Sequence, residues 1–308
     1  MSKLYLVTGF LGAGKTTFLK NFIRFFEGQR LHIIVNEYGK EGIDGKLLKE
    51  VGMVLDEINN GSIFCSCRLD KFEEVLCKAL ESQPDVIIIE ASGLSNPTNV
   101  RKIMAQEDKF PGLEYMGSIC LVDAKRFHKV YKTATVVKKQ ISISDIILLN
   151  KTDLATEEEL DNICQVIGDH RPDIPVFKTT YGQIREEWLS QMKKPILSSE
   201  APEIQTKDIT LRSFVMEISE DFTPYELEKF VEMFLEDTYR VKGFVKLQGA
   251  TYLLDCVGSL FQMKEYTGET AALNEIVILA GNGLPAAKSV KEAMKWYPEK
   301  VISFGSAK

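Results

Sequence analysis

One eight-residue segment restricts the possible folds of this chain more than any other feature. Residues 9–16 read GFLGAGKT and match G-x-x-x-x-G-K-[ST] at every fixed position. The segment follows the apolar run LYLVTG (4–9) and precedes the amphipathic run KTTFLKNFIRFF (15–26). A strand that turns through glycines into a helix points backbone N–H groups and the positive helix N-terminus at a phosphate. The segment therefore predicts a phosphate-binding loop.

The loop residues predict a division of roles on a nucleoside triphosphate. We expect Lys15 to reach the β- and γ-phosphates and the Thr16 hydroxyl to bind Mg²⁺, which gives both residues a catalytic role. The residues of this segment that are predicted to hold the nucleotide are Gly9, Gly12, Ala13, Gly14, Lys15, Thr16 and Thr17.

Apolar runs and helical patterns alternate over the first part of the chain. The predicted strands are 4–9, 31–36, 85–90, 118–123, 145–150 and 174–179, and the predicted helices are 15–26, 72–82 and 157–168. Near-continuous apolar strands between amphipathic helices indicate a parallel sheet covered on both faces. The predicted fold is α/β, a P-loop NTPase parallel sheet flanked by helices, with its functional edge at the carboxyl ends of the strands.

The chain changes character after residue 183. Residues 183–207 start with a helical pattern and become polar around Pro195 and Pro202. Beyond them we predict strands at 209–218 and 274–281, two strands joined near Gly249 within 240–258, and helices at 224–236 and 286–297. The predicted domains are a P-loop GTPase domain at 1–195, a linker at 196–207 and a smaller C-terminal α+β domain at 208–308.

A second motif predicts which base is bound. The sequence NKTD at 150–153 directly follows the apolar run DIILL. A carboxylate there accepts hydrogen bonds from N1–H and the exocyclic amine of guanine, a donor pair that adenine lacks. We expect Asp153 to make these bonds, Asn150 to bond the opposite edge of the base, and the Lys151 stem to pack on it. Asp153 is also predicted to cap the helix that follows.

An acidic residue ends the apolar run DVIIIE at 85–90. Proteins with this phosphate loop commonly place an acid here to hold the Mg²⁺ shell, so Glu90 is predicted to bind magnesium together with Thr16 and to take part in catalysis. The pattern E-x-x-G then puts the Gly93 N–H where it can sense a γ-phosphate. A plain strand terminator is the alternative for Glu90.

The amino-acid composition disfavours some classes of binding partner. The net charge is −6 and the pI is near 5.4, which disfavours non-specific binding to nucleic acid or to an anionic membrane. No apolar run approaches the ~20 residues of a membrane span, and the N-terminus does not read as a secretion signal. We therefore expect a cytoplasmic protein. Its scattered cysteines are predicted to be reduced core residues; they are Cys77, Cys120, Cys164 and Cys256.

Two other nucleotide-binding classes fit the sequence less well. A small-molecule kinase with the same phosphate loop would show an arginine-rich lid and would lack N-K-x-D. A dimerising ATPase of the partitioning type would carry a second lysine where Phe10 stands. The sequence therefore favours a GTPase over both.

Six segments together resemble the CobW-like GTPases of the CobW/HypB/UreG group, relatives of the nickel GTPases that mature hydrogenase and urease. They are TGFLGAGKTT (8–17), NEYGKEGID (36–44), EINNGSIFCSC (57–67), IIIEASGLSNP (88–97), LLNKTD (148–153) and RVKGFVKL (240–247). The E-x-x-G pattern is a hallmark of this group. The resemblance covers both predicted domains and implies GTP hydrolysis coupled to delivery or insertion of a metal, or to care of a metal cofactor such as a corrinoid.

The cysteine motif of this family is altered in the present chain. Members usually carry C-x-C-C after the Asn-Gly pair. Here Ser62 and Phe64 stand in place of the first two thiols, Cys65 is kept, and Cys67 is added two residues on. A site of three thiolates therefore does not follow from the resemblance.

Two thiols still predict a site for Zn²⁺, Co²⁺ or Ni²⁺ at Cys65 and Cys67. A tetrahedral site needs more ligands, and the nearest candidates are Glu37 and Glu41, in the segment that the resemblance places near the nucleotide. A homodimer that shares the site would supply four thiolates. The alternative is a thiol pair that binds no metal.

Together these features predict a GTP-binding and GTP-hydrolysing metallochaperone with Mg²⁺ as cofactor. The γ-phosphate is expected to order residues 36–44, and hydrolysis to release them and change the metal affinity of the cysteine pair. Glu37 is the first candidate for the residue that positions the hydrolytic water. Turnover is expected to be slow until a client metalloenzyme or cofactor protein accelerates it. The alternatives are a GTPase chaperone for a corrinoid or other metal-cofactor enzyme, and a nucleotide-controlled interaction protein that binds no metal.

Overall fold

The computed structural model describes residues 1–35, 54–57, 69–94, 97–104, 109–192, 211–268, 270 and 272–307. The chain separates into two compact units, one of residues 1–131 and 135–207 and the other of residues 132–134 and 208–308. The predicted linker at 196–207 and the predicted nucleotide-sensing segment at 36–44 lie outside the described residues. The domain limits at 195 and 208 stay a prediction.

The first unit alternates strands and helices along the chain. In order they are β1 (Ser2–Gly9), α1 (Lys15–Phe22), β2 (Leu31–Val35), β3 (Val54–Glu57), α2 (Leu69–Glu81), β4 (Val86–Glu90), α3 (Thr98–Met104), β5 (Leu113–Asp123), α4 (Phe127–Thr133), α5 (Thr135–Ile143), β6 (Ile146–Asn150), α6 (Glu157–His170), β7 (Val176–Lys178) and α7 (Glu186–Leu189). Single 3₁₀ turns follow α1 at Ile23–Phe26 and precede α6 at Thr152–Leu154.

Seven strands form one parallel sheet in the order β3-β2-β4-β1-β5-β6-β7. This arrangement confirms the predicted α/β fold class. Strands β2, β4 and β6 are buried at every residue, which explains their nearly unbroken apolar sequences. Strand β3 was missing from the sequence prediction because two of its four residues, Asp56 and Glu57, are acidic.

Helices pack on both faces of this sheet. Helix α1 contributes Phe22 to the core of one face, where it meets Tyr5 of β1 edge-on at a ring-centroid distance of 5.3 Å. Helix α2 contributes Phe72 to the core of the other face, together with Leu4 and Leu6 of β1. Alternate residues of one strand therefore serve opposite faces, as the two-residue repeat of a strand requires.

Several helices differ from the sequence prediction. The helix predicted over 15–26 ends at Phe22 and tightens into a 3₁₀ turn, a common ending for an α-helix, before Gly28 turns the chain with a φ of +81°. Helices α3, α4 and α5 were not predicted. Five of the nine residues of α5 are β-branched, so its intrinsic helix propensity is low and its helical form depends on packing.

The second unit is an antiparallel sheet with two helices. Its elements are β8 (Leu211–Ile218), α8 (Pro224–Leu235), β9 (Arg240–Leu247), β10 (Ala250–Val257), β11 (Met263–Glu265), β12 (Glu275–Gly281), α9 (Ala286–Met294) and β13 (Val301–Ser306). The sheet order is β11-β10-β9-β12-β8-β13. This confirms the predicted C-terminal α+β fold, including the hairpin that turns at Gly249.

Local signals define the start of α8. Thr223 is the N-cap, its hydroxyl accepts from the backbone N–H of Glu226, and the Glu226 carboxylate accepts in return from the Thr223 N–H. Pro224 occupies the first turn, where no intrahelical N–H is needed. The reciprocal bonds satisfy two backbone donors that a helix start otherwise leaves unpaired.

No helix in the described part of the chain has both the length and the apolar character to span a bilayer. The longest of these helices, α6, has 14 residues, against the ~20 that a membrane span requires. Its first turn carries three glutamates, which fits the positive end of a helix dipole at a surface.

Substitution of Phe230 tests how far one aromatic cluster stabilises the second unit. Phe230 on α8 is fully buried, and its ring contacts those of Phe222, Phe234 and Tyr297. Because Phe230→Ala leaves a cavity, we expect it to lower the free energy of unfolding by about 3–5 kcal/mol in a denaturant titration. Met233→Ala on the exposed side of the same helix is the control, with an expected loss of about 0.5 kcal/mol or less. Equal losses in the two variants would contradict this role.

Candidate functional site

The carboxyl ends of the parallel strands lie along one edge of the first unit. Strand β1 ends at the phosphate loop, β4 at Glu90, β5 at Asp123 and β6 at Asn150. The register pairs Val7 with Glu90, and Asp123 with Asn150. The predicted nucleotide-site residues that the structure describes therefore lie at the edge where parallel α/β sheets bind their ligands.

The predicted phosphate loop turns directly from β1 into α1. Gly14 is the N-cap of α1 with a φ of +98°, a left-handed conformation that favours glycine. Lys15 is only 9% exposed, and its ammonium donates to the carbonyl oxygens of Gly9 at 3.0 Å and Phe10 at 3.3 Å. A largely buried cation thus lies beside the loop backbone and the helix N-terminus, which is an arrangement suited to phosphate binding.

Asn150 connects the phosphate loop to a second loop. Its Nδ2 donates to the carbonyl of Ala13 at 2.9 Å, and its Oδ1 accepts from the backbone N–H of Gly182 at 2.9 Å. The side chain is buried, and a Cβ built on Gly14 would lie 2.4 Å from Asn150 Nδ2. One amide therefore holds both loops together, and one hydrogen of Nδ2 is already committed to Ala13.

The second loop, residues 179–182, follows β7 and is held from two sides. Thr152 donates to the Thr179 carbonyl through its backbone N–H at 3.3 Å and its hydroxyl at 3.1 Å. Asn21 of α1 donates to the carbonyls of Tyr181 and Gly182 at 3.0 and 3.3 Å. Sequence reasoning missed this loop. The sequence signal for this loop was the segment TTYG, with its glycine, at the end of a predicted strand.

Lys151 is fixed by an ion pair that sequence reasoning also missed. Its backbone is left-handed with a φ of +62°, and its ammonium lies 2.7 Å from Asp123 Oδ2. The Asp123 side chain is 6% exposed, and its Oδ1 accepts from the Arg126 N–H at 3.3 Å. Because the ion pair holds the end of the Lys151 side chain, the aliphatic stem has a restricted range of orientations. The sequence signal for this ion pair was the acidic residue at the carboxyl end of the predicted strand 118–123.

Asp153 lies in the 3₁₀ turn before α6, and its side chain is exposed. The prediction that it caps α6 is wrong. Thr156 is the N-cap, and it forms a capping box with Glu159. The chain makes one extra turn between the two positions, which leaves the Asp153 carboxylate outside the cap.

Two oxygen-bearing side chains were predicted to bind Mg²⁺. Thr16 is half-buried in the first turn of α1, next to the exposed Thr17, and Glu90 is 4% exposed at the end of the adjacent strand β4. A hydroxyl and a carboxylate are the oxygen donors that Mg²⁺ takes in proteins. The donor set and the burial of the carboxylate therefore fit this ion.

Gly93 lies against the phosphate loop. Its backbone is buried, and a Cβ built on it would lie 2.7 Å from the Leu11 backbone nitrogen. Any side chain larger than hydrogen would push the two segments apart. Glycine is therefore required at this position for Gly93 to reach the loop.

Four predicted metal-site residues lie outside the described part of the chain; they are Glu37, Glu41, Cys65 and Cys67. Within the described part, no three His, Cys, Asp or Glu side chains group as a metal site. Cys120 and Cys256 are buried, and burial raises the pKa of each thiol to about 12, so both stay protonated near neutral pH. The prediction that Cys77 is a core residue is wrong, because its side of α2 is exposed.

Asn150→Ala tests the connection between the two loops. The substitution leaves the buried Ala13 carbonyl and Gly182 N–H without their partner, so we expect a loss of about 2–5 kcal/mol in the free energy of unfolding. Asn21→Ala is the matched control, because its hydrogen bonds to the same loop are exposed or part-buried. We expect it to cost about 1 kcal/mol or less. Similar losses for both variants in thermal unfolding would argue against the connecting role of Asn150.

Three curated relatives match about half of the chain. Zinc chaperone YjiA of Escherichia coli (strain K12) is 31% identical over 186 residues, which is 58% of this chain and 58% of the relative. Zinc chaperone CobW of a Sinorhizobium species is 33% identical over 179 residues, covering 48% of this chain and 50% of the relative. Zinc-regulated GTPase metalloprotein activator 1 of Schizosaccharomyces pombe is 30% identical over 189 residues, covering 58% and 46%. The chain thus matches about half the length of these relatives.

Two family models match successive parts of the chain. The model of the CobW/HypB/UreG nucleotide-binding domain matches residues 3–178, which is more than half of the chain and includes every described residue of the candidate site except the 179–182 loop. The model of the cobalamin synthesis protein CobW C-terminal domain matches residues 211–295. The predicted resemblance is confirmed: the chain belongs to the CobW/HypB/UreG family of nucleotide-binding proteins.

Proposed function

We propose that this protein binds and hydrolyses GTP and couples the nucleotide state to delivery of a transition metal. The observation that carries this proposal is that Asn150, the first residue of the N-K-x-D segment, donates to the phosphate loop at Ala13 in a chain of the CobW/HypB/UreG family. The names of its relatives, two zinc chaperones and a zinc-regulated GTPase, support the coupling to a metal.

Guanine selectivity is proposed to come from Asp153 and its surroundings. The exposed Asp153 carboxylate can accept from the N1–H and the exocyclic amine of guanine. Lys151, held by Asp123, offers its stem to the face of the base. Asn150 keeps one Nδ2 hydrogen for the opposite edge of the base, because only the other is committed to Ala13.

The phosphates are proposed to bind at the start of α1. The ammonium of Lys15 would exchange its bonds to the Gly9 and Phe10 carbonyls for bonds to β- and γ-phosphate oxygens. Thr16 and Glu90 would hold Mg²⁺, which supplies positive charge to neutralise the transferred phosphoryl group. Of the three phosphates, the Gly93 N–H would contact only the γ-phosphate. This contact would therefore form with GTP and not with GDP.

The hydrolytic step needs a residue that positions water, and we retain Glu37 as the candidate on the sequence pattern. We propose slow turnover by the protein alone, with acceleration by a client metalloenzyme or cofactor protein in the cytoplasm.

For the cargo we propose Zn²⁺ first, with Co²⁺ and Ni²⁺ as competitors at Cys65, Cys67, Glu37 and Glu41. Zinc takes thiolate and carboxylate ligands in tetrahedral sites, and a homodimer could complete such a site with a second pair of thiols. A corrinoid or other metal-cofactor client is the second candidate, and the CobW C-terminal domain match supports it.

Asp153→Asn tests guanine recognition. The asparagine amide can donate where the carboxylate accepts, so the variant loses its match to the two guanine donors and gains one to the C2 carbonyl of xanthine. We expect GTP affinity to fall by about 100-fold or more and xanthosine triphosphate to bind better than GTP, as measured by competition against a fluorescent nucleotide.

Asp173→Asn is the control for this exchange, since Asp173 lies in the turn after α6 and, like Asp153, is exposed. It should leave the preference for GTP over xanthosine triphosphate and over ATP unchanged. Retention of GTP preference by Asp153→Asn, or equal binding of GTP and ATP by the wild type, would overturn the guanine assignment.

The double variant Cys65→Ala/Cys67→Ala tests the metal site. We expect zinc stoichiometry to fall, or zinc affinity to drop by at least about tenfold, in titrations against a competing chelator, because two thiolate ligands are removed. Cys77→Ala is the control, since this thiol is exposed on α2. Wild-type stoichiometry and affinity in the double variant would show that the cysteine pair is not part of the metal site.

A further inference from the structure

Gln140 is a buried polar side chain that joins α5 to the predicted γ-phosphate sensor. It is 1% exposed, and its Nε2 donates to the carbonyl oxygen of Gly93 at 3.2 Å. The two residues are 47 positions apart in the chain. This amide links the Gly93 carbonyl to the helix layer of the unit.

The segment before the Gly93 carbonyl is fixed to the sheet. The Ala91 N–H donates to the Val7 carbonyl at 2.9 Å, immediately after Glu90 pairs with Val7 in the register of β4 and β1. Gly93 itself presses against the Leu11 backbone. With Ala91 held on one side and the Gly93 carbonyl held on the other, the backbone has little freedom to turn the intervening peptide groups. The direction of the Gly93 N–H is therefore constrained from both ends.

Helix α5 also contacts α3, the helix that follows Gly93 in the chain. Arg101 of α3 donates from Nη1 to the Ile143 carbonyl at the end of α5 at 2.9 Å. Its Nη2 lies 3.7 Å from Oδ1 of Asp145, a carboxylate that also accepts from the Ser118 N–H at 2.7 Å. Val100 and Ile103 of α3 share a core with Ile143. Helix α5 thus anchors Gly93 through Gln140 and helix α3 through its C-terminal end.

We propose that Gln140 is a positioning residue for nucleotide sensing. Its amide holds the Gly93 carbonyl and so limits rotation of the Gly93 backbone, which keeps the Gly93 N–H presented to the γ-phosphate. This inference rests on the proposed function, because it requires that GTP binds at the phosphate loop. It assigns Gln140 no contact with the nucleotide. Its effect is on the difference between GTP and GDP, since GDP lacks the γ-phosphate that the Gly93 N–H would meet.

Gln140→Met tests the proposal, because methionine has a similar length and volume and no N–H donor. We expect affinity for a non-hydrolysable GTP analogue to fall by about five- to tenfold and the rate of GTP hydrolysis to fall with it. Affinity for GDP should stay within about twofold of the wild type. Titration calorimetry with the analogue and with GDP, both with Mg²⁺, measures the ratio directly.

Ser144→Ala, directly after α5, is the matched control. The Ser144 hydroxyl is buried and donates to the Gln140 backbone carbonyl at 2.7 Å, so its loss perturbs the end of α5 without removing the Gln140 amide. We expect this variant to lower the midpoint of thermal unfolding and to leave the ratio of GTP-analogue to GDP affinity unchanged. A change in the ratio as large as that of Gln140→Met would show a purely structural role and overturn the proposal.

Other outcomes of these experiments also support or overturn the proposal. If Gln140→Met does not fold, Gln140→Asn keeps the amide but shortens its reach by one methylene, and the same selective loss is expected. Equal losses for the GTP analogue and GDP, or no loss for either, would overturn the positioning role while leaving the proposed GTPase intact. A wild type that binds neither nucleotide would overturn the proposed function, and this inference with it.

Discussion

The pair of hydrogen bonds made by the Asn150 side chain is the constraint on which the rest of the site depends. The phosphate loop follows β1 and the 179–182 loop follows β7, so they come from different strands of the sheet. The buried amide spans them by accepting from Gly182 and donating to Ala13, each at 2.9 Å. An unpaired buried amide would cost about 1–3 kcal/mol per group, so the two loops hold each other in place. A nucleotide at the proposed site would then meet a phosphate loop whose geometry is already set.

Two lysines near this amide suit an anionic ligand, although the protein as a whole is acidic. The chain carries a net charge of −6, yet Lys15 and Lys151 lie at the strand ends with their ammonium groups held by backbone carbonyls and by Asp123. Each lysine side chain is thus held in one orientation by these contacts. The net negative charge of the chain disfavours non-specific attraction to other polyanions.

Motifs allowed much of the fold and the site to be predicted. GFLGAGKT, the acid at Glu90 and the NKTD segment each follow or end an apolar strand. Because parallel strands bring their carboxyl ends to one edge, their grouping followed from the predicted parallel sheet. The position of the helix cap at Thr156 instead of Asp153 could not be inferred, because a 3₁₀ turn separates strand and helix. Nor could α5 be recognised, since its β-branched residues become helical only through packing.

Contacts between distant segments account for the other omissions. Asn150 meets Ala13 across 137 positions and Gln140 meets Gly93 across 47, and no periodicity or spacing in one sequence encodes either pair. Strand β3 is too short and too acidic to read as a buried strand, although the sheet accepts it as an edge. The sequence pattern thus determined which residues sit at the site, and the tertiary contacts determined how they are held.

The central claim is that nucleotide state controls metal affinity, and one measurement tests it most directly. The zinc dissociation constant of the wild-type chain should be determined twice by chelator competition, once with a non-hydrolysable GTP analogue and Mg²⁺ and once with GDP and Mg²⁺. We expect the two constants to differ by about tenfold or more, which is a typical coupling between two sites. Two constants that agree within about twofold, at full occupancy of both nucleotides, would contradict the claim.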